Sequence, residues 1–227
     1  MNYDNNGTDG VISGNVQNDK TSVFAVFDGM GGEEKGEMAS YIACTKMEEF
    51  QYNKKPDTAL LTFCKNANNA ICKFADENSV TTMGTTAAMV LFDRKKVYIC
   101  NIGDSKVFKF SQGKLIQLSQ DHLALVAKGM KAPLSQNLGI PESEMIISPY
   151  VTDLPYSDKD IYLICSDGLT DMVKQEEIGK VLSITKKEYA ASVLLKKALE
   201  NGGRDNTTII TLYLNKESKG LFSLFGK

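Results

Sequence analysis

The sequence predicts a layered α+β domain, on three observations. Between residues 86 and 118, short apolar runs follow one another with only tight turns between them, the spacing of antiparallel hairpins. On either side lie longer stretches with apolar residues at helical spacing. Twice, a largely apolar run drives straight into Asp-Gly: residues 22–27 into Asp28-Gly29, and residues 161–166 into Asp167-Gly168. A third run, residues 97–102, ends in the mirrored pair Gly103-Asp104. Hairpin strands beside paired helices argue for stacked layers, mostly antiparallel, rather than a βαβ repeat.

Residues 1–21 are rich in Asn, Asp and Gly and read as loop. Residues 22–27 form the first strand. Past Asp28-Gly29 a helix is predicted over residues 33–50, with Glu33, Glu34 and Glu37 in its first turns, where the helix dipole favours anions. Asp57 is predicted to cap a second helix, whose Leu60, Cys64, Ala67, Ile71 and Phe74 share one buried face. Residues 86–92, 96–102, 105–111 and 114–118 read as one antiparallel meander, turning at Asp93-Arg94-Lys95 and Gln112-Gly113. Residues 119–144 show no period. Strands return at 145–150 and 160–165. A helix follows Asp167-Gly168, and another starts at the capping box Thr185-x-x-Glu188 and stops at Gly202-Gly203. The last strand covers residues 207–214. The domain therefore spans 22–214, between a loop-like N-terminal stretch, 1–21, and a short apolar tail, 215–227, expected to dock on the body or lead onward rather than enter a membrane.

A chain of 227 residues suits one large domain or two small ones, and 42% hydrophobic with 24% charged residues is ordinary for a globular protein. A net charge of −2 argues against nonspecific binding to nucleic acid or anionic lipid. Cys44, Cys64, Cys72, Cys100 and Cys165 include no CxxC pair and fall mostly in apolar runs, so they are expected to be reduced, buried and structural in a cytoplasmic protein. No apolar run reaches the roughly 18 residues of a membrane span, and no signal-peptide pattern opens the chain.

The chemistry is expected at Asp28, Asp104, Asp167 and Asp205, each at a strand–loop junction. Any one of them alone is an ordinary turn or cap residue. Together, at the ends of converging strands, they would repel one another and some would protonate. A divalent cation removes that conflict, and a rigid cage of hard oxygen ligands is how Mg²⁺ or Mn²⁺ is held for chemistry on phosphate. A rival reading takes Asp28-Gly29-Met30-Gly31-Gly32 as a phosphate loop. It fails, because neither GxGxxG nor GxxxxGK[ST] is present and Glu33 and Glu34 would repel a pyrophosphate.

Six segments extend this pattern: Val26-Phe27-Asp28-Gly29-Met30-Gly31-Gly32, Gly84-Thr85-Thr86, Asn101-Ile102-Gly103-Asp104-Ser105, Asp121-His122, Cys165-Ser166-Asp167-Gly168-Leu169-Thr170-Asp171 and Gly203-Arg204-Asp205-Asn206-Thr207-Thr208. In order and spacing the chain resembles the metal-dependent serine/threonine protein phosphatases of type 2C, bacterial branch, across roughly residues 20–214. The resemblance implies a four-layer α-β-β-α sandwich with a two-metal centre at one end of the sheets. By motif position Asp28 would bridge two Mg²⁺ or Mn²⁺ ions, the Gly29 carbonyl would bind one, and Asp167 and Asp205 would hold the other. Asp104 with Asp167 or Asp171 would form a third, weaker site. It further implies hydrolysis of phosphoserine and phosphothreonine in proteins by a water bridging the two metals, in line and without a phosphoenzyme. The substrates would be those of a bacterial Ser/Thr kinase, and a monomer is expected. Carboxylate and carbonyl ligands, with His122 the only histidine, argue against zinc. His122 itself reads as structural unless it faces the leaving oxygen. Eukaryotic relatives often carry a histidine where Met30 stands here, so that candidate acid is absent.

The chain departs from the family in two places. Relatives begin with an additional strand bearing a phosphate-contacting arginine, then an Asn-Glu-Asp segment whose acid binds the second metal. Residues 1–21 hold no arginine and no glutamate, and only Asp4 and Asp9 lie where that acid would fall. The expectation is a chain that starts inside the domain, with one sheet edge open and one metal under-liganded. The flap is also short, residues 123–137, which would leave the site open. A catalytically impaired regulatory module of the same fold therefore stands as the alternative to the enzyme.

Overall fold

The computed structural model describes residues 2–3, 9–15, 21–30, 35–52, 55–93, 96–127, 130 and 132–214, with the backbone alone for 2–3 and 9–15. In chain order the elements are β1 (Asn2–Tyr3), β2 (Asp9–Asn15), β3 (Thr21–Asp28), α1 (Gly36–Lys46), α2 (Pro56–Asn78), β4 (Ala87–Asp93), β5 (Lys96–Ile102), β6 (Lys106–Ser111), β7 (Lys114–Gln117), β8 (Tyr150–Pro155), β9 (Ile161–Cys165), α3 (Asp167–Thr170), α4 (Gln175–Ile184), α5 (Ala190–Glu200) and β10 (Ile209–Tyr213).

β3 and β4 are apolar on both faces, and a strand without a polar face must be covered twice. Both lie inside a six-stranded antiparallel sheet ordered β1-β2-β3-β4-β5-β8. Because side chains alternate, Phe24 and Val26 point one way with Val90 and Ile99, and meet Val107, Tyr162, Ile164 and Leu212 of a second sheet, β10-β9-β6-β7. The opposite set, Ala25, Phe27, Met89 and Cys100, packs on Ala39 and Ala43 of α1 and on Leu60, Cys64 and Ile71 of α2. The outer face of the second sheet, Phe108, Leu163 and Cys165, is covered by Ile178 and Leu182 of α4 and by Leu194 and Ala198 of α5. These three apolar layers separate four structural ones, giving the expected α-β-β-α sandwich.

Several expectations need correction. Residues 9–15 are not loop: they form β2, fully paired with β3 in a register that sets Asp9 opposite Asp28. β3 therefore has partners on both sides, and among the described residues the outer side of β2 is paired only with the two residues of β1. The predicted meander is split. β5 and β6 belong to different sheets, and the chain crosses between them at Gly103-Asp104-Ser105. Gly103 makes this crossing with φ +95°, where a Cβ would also lie 2.6 Å from the Thr86 side chain. The strand expected at 145–150 forms instead at Tyr150–Pro155, paired to β5. Lys55 occupies the N-cap of α2 with Pro56 at its first position, so Asp57 lies in the first turn and is not the cap. Thr185 closes α4 and does not open a helix; α5 begins at Ala190, after a 3₁₀ turn at Lys187–Tyr189. Asp4, Gly31, Gly32, Glu33, Glu34, Arg94, Lys95 and the tail lie outside the described residues. Cys44, Cys64, Cys100 and Cys165 are buried, while Cys72 is half-buried. No described helix is long and apolar enough to cross a membrane.

Candidate metal centre

Strand direction brings the aspartate-bearing junctions to one end of the sandwich. β3 ends at Asp28, beside the start of β4 and the end of β5, so Asp28, Thr86 and Gly103 lie across one row of the first sheet. In the second sheet β9 pairs with β6 through Cys165↔Lys106, and the same register continued by two residues sets Asp167 across from Asp104. β10 pairs with β9 through Ile209↔Cys165, which brings the preceding loop, with Asp205, to this end as well.

Each junction is held by its neighbours. The Asp28 carbonyl accepts hydrogen bonds from Thr86 N at 2.8 Å and Thr85 Oγ1 at 2.9 Å, and Asp28 N donates to Thr86 Oγ1 at 3.2 Å. Thr86 Oγ1 in turn meets Ser105 Oγ at 2.7 Å, which ties the first sheet to the crossing that carries Asp104. Gly29 bridges Thr85, and Met30 N donates to Gly84 O at 3.0 Å. Across the site, a Cβ on Gly168 would lie 2.1 Å from the Asn206 carbonyl oxygen, so only glycine lets the Asp205 loop sit against the start of α3. Ser166 Oγ donates to Asn206 O at 3.3 Å and accepts from Thr208 N at 3.0 Å, locking that contact. Asp171 follows Asp167 by one helical turn, with its N–H on the Asp167 carbonyl at 2.8 Å.

Electrostatics single out the second-sheet pair. Burial, then the charge of Asp167, pushes the Asp104 carboxyl up to about 6, and Lys106 only partly offsets them. The Oδ1 of Asp167 is shut off from solvent. Lys106 Nζ donates to the Asp104 carbonyl at 3.1 Å and to Asp121 Oδ2 at 2.6 Å, while Gln117 Nε2 donates to Asp121 Oδ1 at 2.7 Å. Sequence reasoning missed this Lys106–Asp121–Gln117 bracket; its one sequence signal is the lysine that opens β6 directly after the Gly103-Asp104-Ser105 crossing. His122 lies behind the same crossing, with its N–H on Gly103 O at 3.0 Å and its Nδ1 3.3 Å from that oxygen.

Asp28 and Asp104 are half-buried, as is Asp167, whereas Asp171 and Asp205 are exposed. Among the described residues, no three His, Cys, Asp or Glu side chains come together closely enough to hold an ion. The backbone thus gathers the junctions at one end of the sandwich. The donors fit a hard divalent ion: carboxylate and carbonyl oxygens, with Asp104 driven toward protonation by burial and by Asp167. Neighbouring thiols do not compete as ligands or nucleophiles, since burial pushes Cys165 up to about 12. The segment expected to be the flap folds back on itself: Ala124 N donates to Pro133 O at 2.9 Å and Ser135 N to His122 O at 2.9 Å, and Leu138 returns to bridge Thr85. Its tip holds Leu125 fully in solvent.

Comparison with known proteins agrees with this architecture. The family model for protein phosphatase 2C matches residues 12–200. The serine/threonine phosphatase stp of Listeria innocua is 30% identical over 228 residues, covering 89% of this chain and 88% of that protein. The crystal structure of the serine/threonine phosphatase Stp1 from Staphylococcus aureus superposes with a TM-score of 0.82 at 26% identity, covering 95% of this chain and 92% of that one. The catalytic domain of the phosphatase PstP, in complex with two manganese ions, superposes with a TM-score of 0.77 at 29% identity, covering 92% and 91%. With most of its length matched by the family model and its two sheets stacked as in these structures, the chain belongs to the protein phosphatase 2C family.

Proposed function

We propose that this chain hydrolyses phosphoserine and phosphothreonine in proteins, using two Mg²⁺ or Mn²⁺ ions, and that it opposes a bacterial serine/threonine kinase. In this reading Asp28 and the Gly29 carbonyl hold the ions from the first sheet, and Asp167 and Asp205 from the second. Asp104 with Asp171 or Asp167 serves an outer ion. The observation that carries the reading is the shared end of the sandwich: Asp28, Asp104 and Asp167 stand where β3, β5 and β9 end there, and Asp205 lies in the loop that enters β10 there. When bound, the ions acidify a water and offset charge on the phosphoryl oxygens. The protein's part is positioning. Thr85 and Thr86 fix the backbone of Asp28, Gly168 admits the Asp205 loop, and Lys106 with Asp121 holds the crossing that presents Asp104.

No side chain of the site supports a covalent route. Cys165 is a buried thiol far above the range of a nucleophile, and the Ser166 hydroxyl is engaged on both sides. The register of β2 supports Asp9 as the acid that complements Asp28, which weakens the case for an impaired module. The test is hydrolysis of p-nitrophenyl phosphate with Mn²⁺, comparing the wild-type chain with Asp28→Asn. We expect turnover that chelation abolishes and that the substitution lowers by about two orders of magnitude or more, as losing a charge-stabilising group in an active site does. Equal rates for the two proteins would refute the reading.

A further inference from the structure

Beside the Asp205 loop lies an open groove of about 440 Å³, lined by Leu195 and Leu199 of α5 and by Gly203, Arg204, Asp205, Asn206 and Thr207. Leu195 is 38% and Leu199 59% exposed, so α5 presents apolar surface here although its other face is buried by Leu194 and Ala198. The groove owes its shape to the end of α5. Gly202 N bonds Leu199 O at 3.1 Å and Gly203 N bonds Ala198 O at 3.0 Å, and both glycines take positive φ, so the chain reverses at once and brings Arg204 into the lining of the groove. Among the described residues Arg204 enters no ion pair. It is the groove's only cation and the immediate neighbour of Asp205.

We infer that this groove is the docking site for the segment of a phosphoprotein that flanks the phosphorylated residue. Arg204 pairs with the phosphate, and an apolar side chain next to the phosphoresidue seats against Leu195 and Leu199. The inference rests on the phosphatase reading above. It follows from charge complementarity, because a planar guanidinium suits a phosphoryl dianion, and from continuity, because Asp205 lines the groove and belongs to the proposed centre. The occupant is a peptide chain rather than a free phosphate, since two leucines offer nothing to an inorganic anion.

The experiment compares two phosphothreonine peptides that differ only in the residues flanking the phosphothreonine, leucine in one and serine in the other, with p-nitrophenyl phosphate as the ester that has no flanks. For the wild type we expect kcat/KM about tenfold higher for the leucine peptide, the scale of one partly buried apolar side chain. Leu199→Ser should bring the two peptides to about the same value, within twofold, and Leu195→Ser should act in the same direction. Arg204→Gln should raise KM for both peptides by roughly tenfold, with partial rescue by Arg204→Lys. A wild type without preference, or a preference that survives both leucine substitutions, overturns the groove. Absence of Mn²⁺-dependent turnover on all three substrates overturns the phosphatase reading instead. In that event fluorescence anisotropy with the same peptides still decides the groove, which requires tighter binding of the leucine peptide by the wild type but not by Leu199→Ser.

Discussion

The β6–β9 strand pair carries a carboxylate problem at each end and solves only one of them. At the end away from the site, Asp160 is almost fully enclosed at 2% exposure, yet Lys109 Nζ lies 2.9 Å from its Oδ2 and Ser157 N donates to the same oxygen at 2.8 Å. Burial alone would raise this acid; Lys109, Ser111 and Ser157 outweigh it and hold the carboxyl below its usual range. At the other end Asp104 faces Asp167, and burial with that like charge drives it up to about 6. One strand pair thus holds an acid compensated from within and an acid whose compensation must come from outside. A structural carboxylate is satisfied by the chain that folds around it, whereas a ligand-binding carboxylate is left in deficit for its ligand.

The largest effect that could break this contrast is on activity. Asp167→Asn should lower Mn²⁺-dependent phosphatase turnover by about two orders of magnitude or more while leaving the melting midpoint unchanged or higher, because it relieves Asp104 of a like charge. Asp160→Asn should do the opposite. Specific activity per folded molecule stays within about twofold, while stability falls by about 3 kcal/mol, because Lys109 is stranded in a site where it is only 17% exposed. Thermal melts and initial rates on both variants check the pair. A stability loss at Asp167, or an activity loss at Asp160, would erase the distinction between the two ends.

Much of this was legible in the sequence, for local reasons. β5 falls on the predicted residues because Val97, Ile99 and Cys100 are flanked by an obvious turn and by Gly103. The helical face of Leu60, Cys64, Ala67 and Ile71 is buried as its period requires. The strand ends were readable because Asp-Gly after an apolar run is a local pattern. What failed depended on distant partners. β2, Asp-Gly-Val-Ile-Ser-Gly-Asn, has weak strand propensity and becomes a strand because β3 offers an apolar edge that needs covering. The split of the meander is decided by packing, since Gly103-Asp104-Ser105 reads like any hairpin turn until Ser105 meets Thr86. Thr185 and Glu188 match a capping box, but α4 runs on to Ile184 and takes Thr185 as its end. Lys106 and Asp121 are fifteen positions apart and nothing local links them.

A smaller effect sharpens the comparison through pH. Burial and Asp167 push the Asp104 carboxyl from its ordinary 3.8 up to about 6 in the folded protein, so between those values the folded state holds the extra proton. Stability of the metal-free protein should therefore rise as pH falls from 7 toward 4, by at most about 3 kcal/mol from this group. Asp160 has the opposite sign: its contribution is present above the ordinary carboxylate value and is lost only as pH falls through its lowered value. Denaturant melts of metal-free protein should show the rise toward pH 4, and Asp104→Asn should flatten it. Added Mn²⁺ should reverse the slope, because an ion competes with protons for the same oxygens. A metal-free stability independent of pH between 7 and 4 would show that Asp104 is compensated after all.

The smallest predicted effect separates a brace from an acid. His122 is the one histidine and sits one residue from Asp121, close enough to the centre to invite a role in proton transfer. Its contacts point elsewhere: the backbone N–H holds Gly103 O, and Nδ1 lies against the same oxygen, so the residue braces the crossing between the sheets. A general acid contributes about a hundredfold or more to turnover, and its loss removes one limb of the pH–rate profile. A brace contributes about 1 kcal/mol of stability through one modest hydrogen bond. His122→Ala keeps the backbone bond and deletes the ring. It should therefore change kcat by less than about threefold, leave the shape of the pH–rate profile intact, and lower stability by about 1 kcal/mol. A hundredfold loss of kcat with a missing limb would move His122 from the scaffold into the chemistry. The activated end of the β6–β9 pair would then extend one layer further toward the flap.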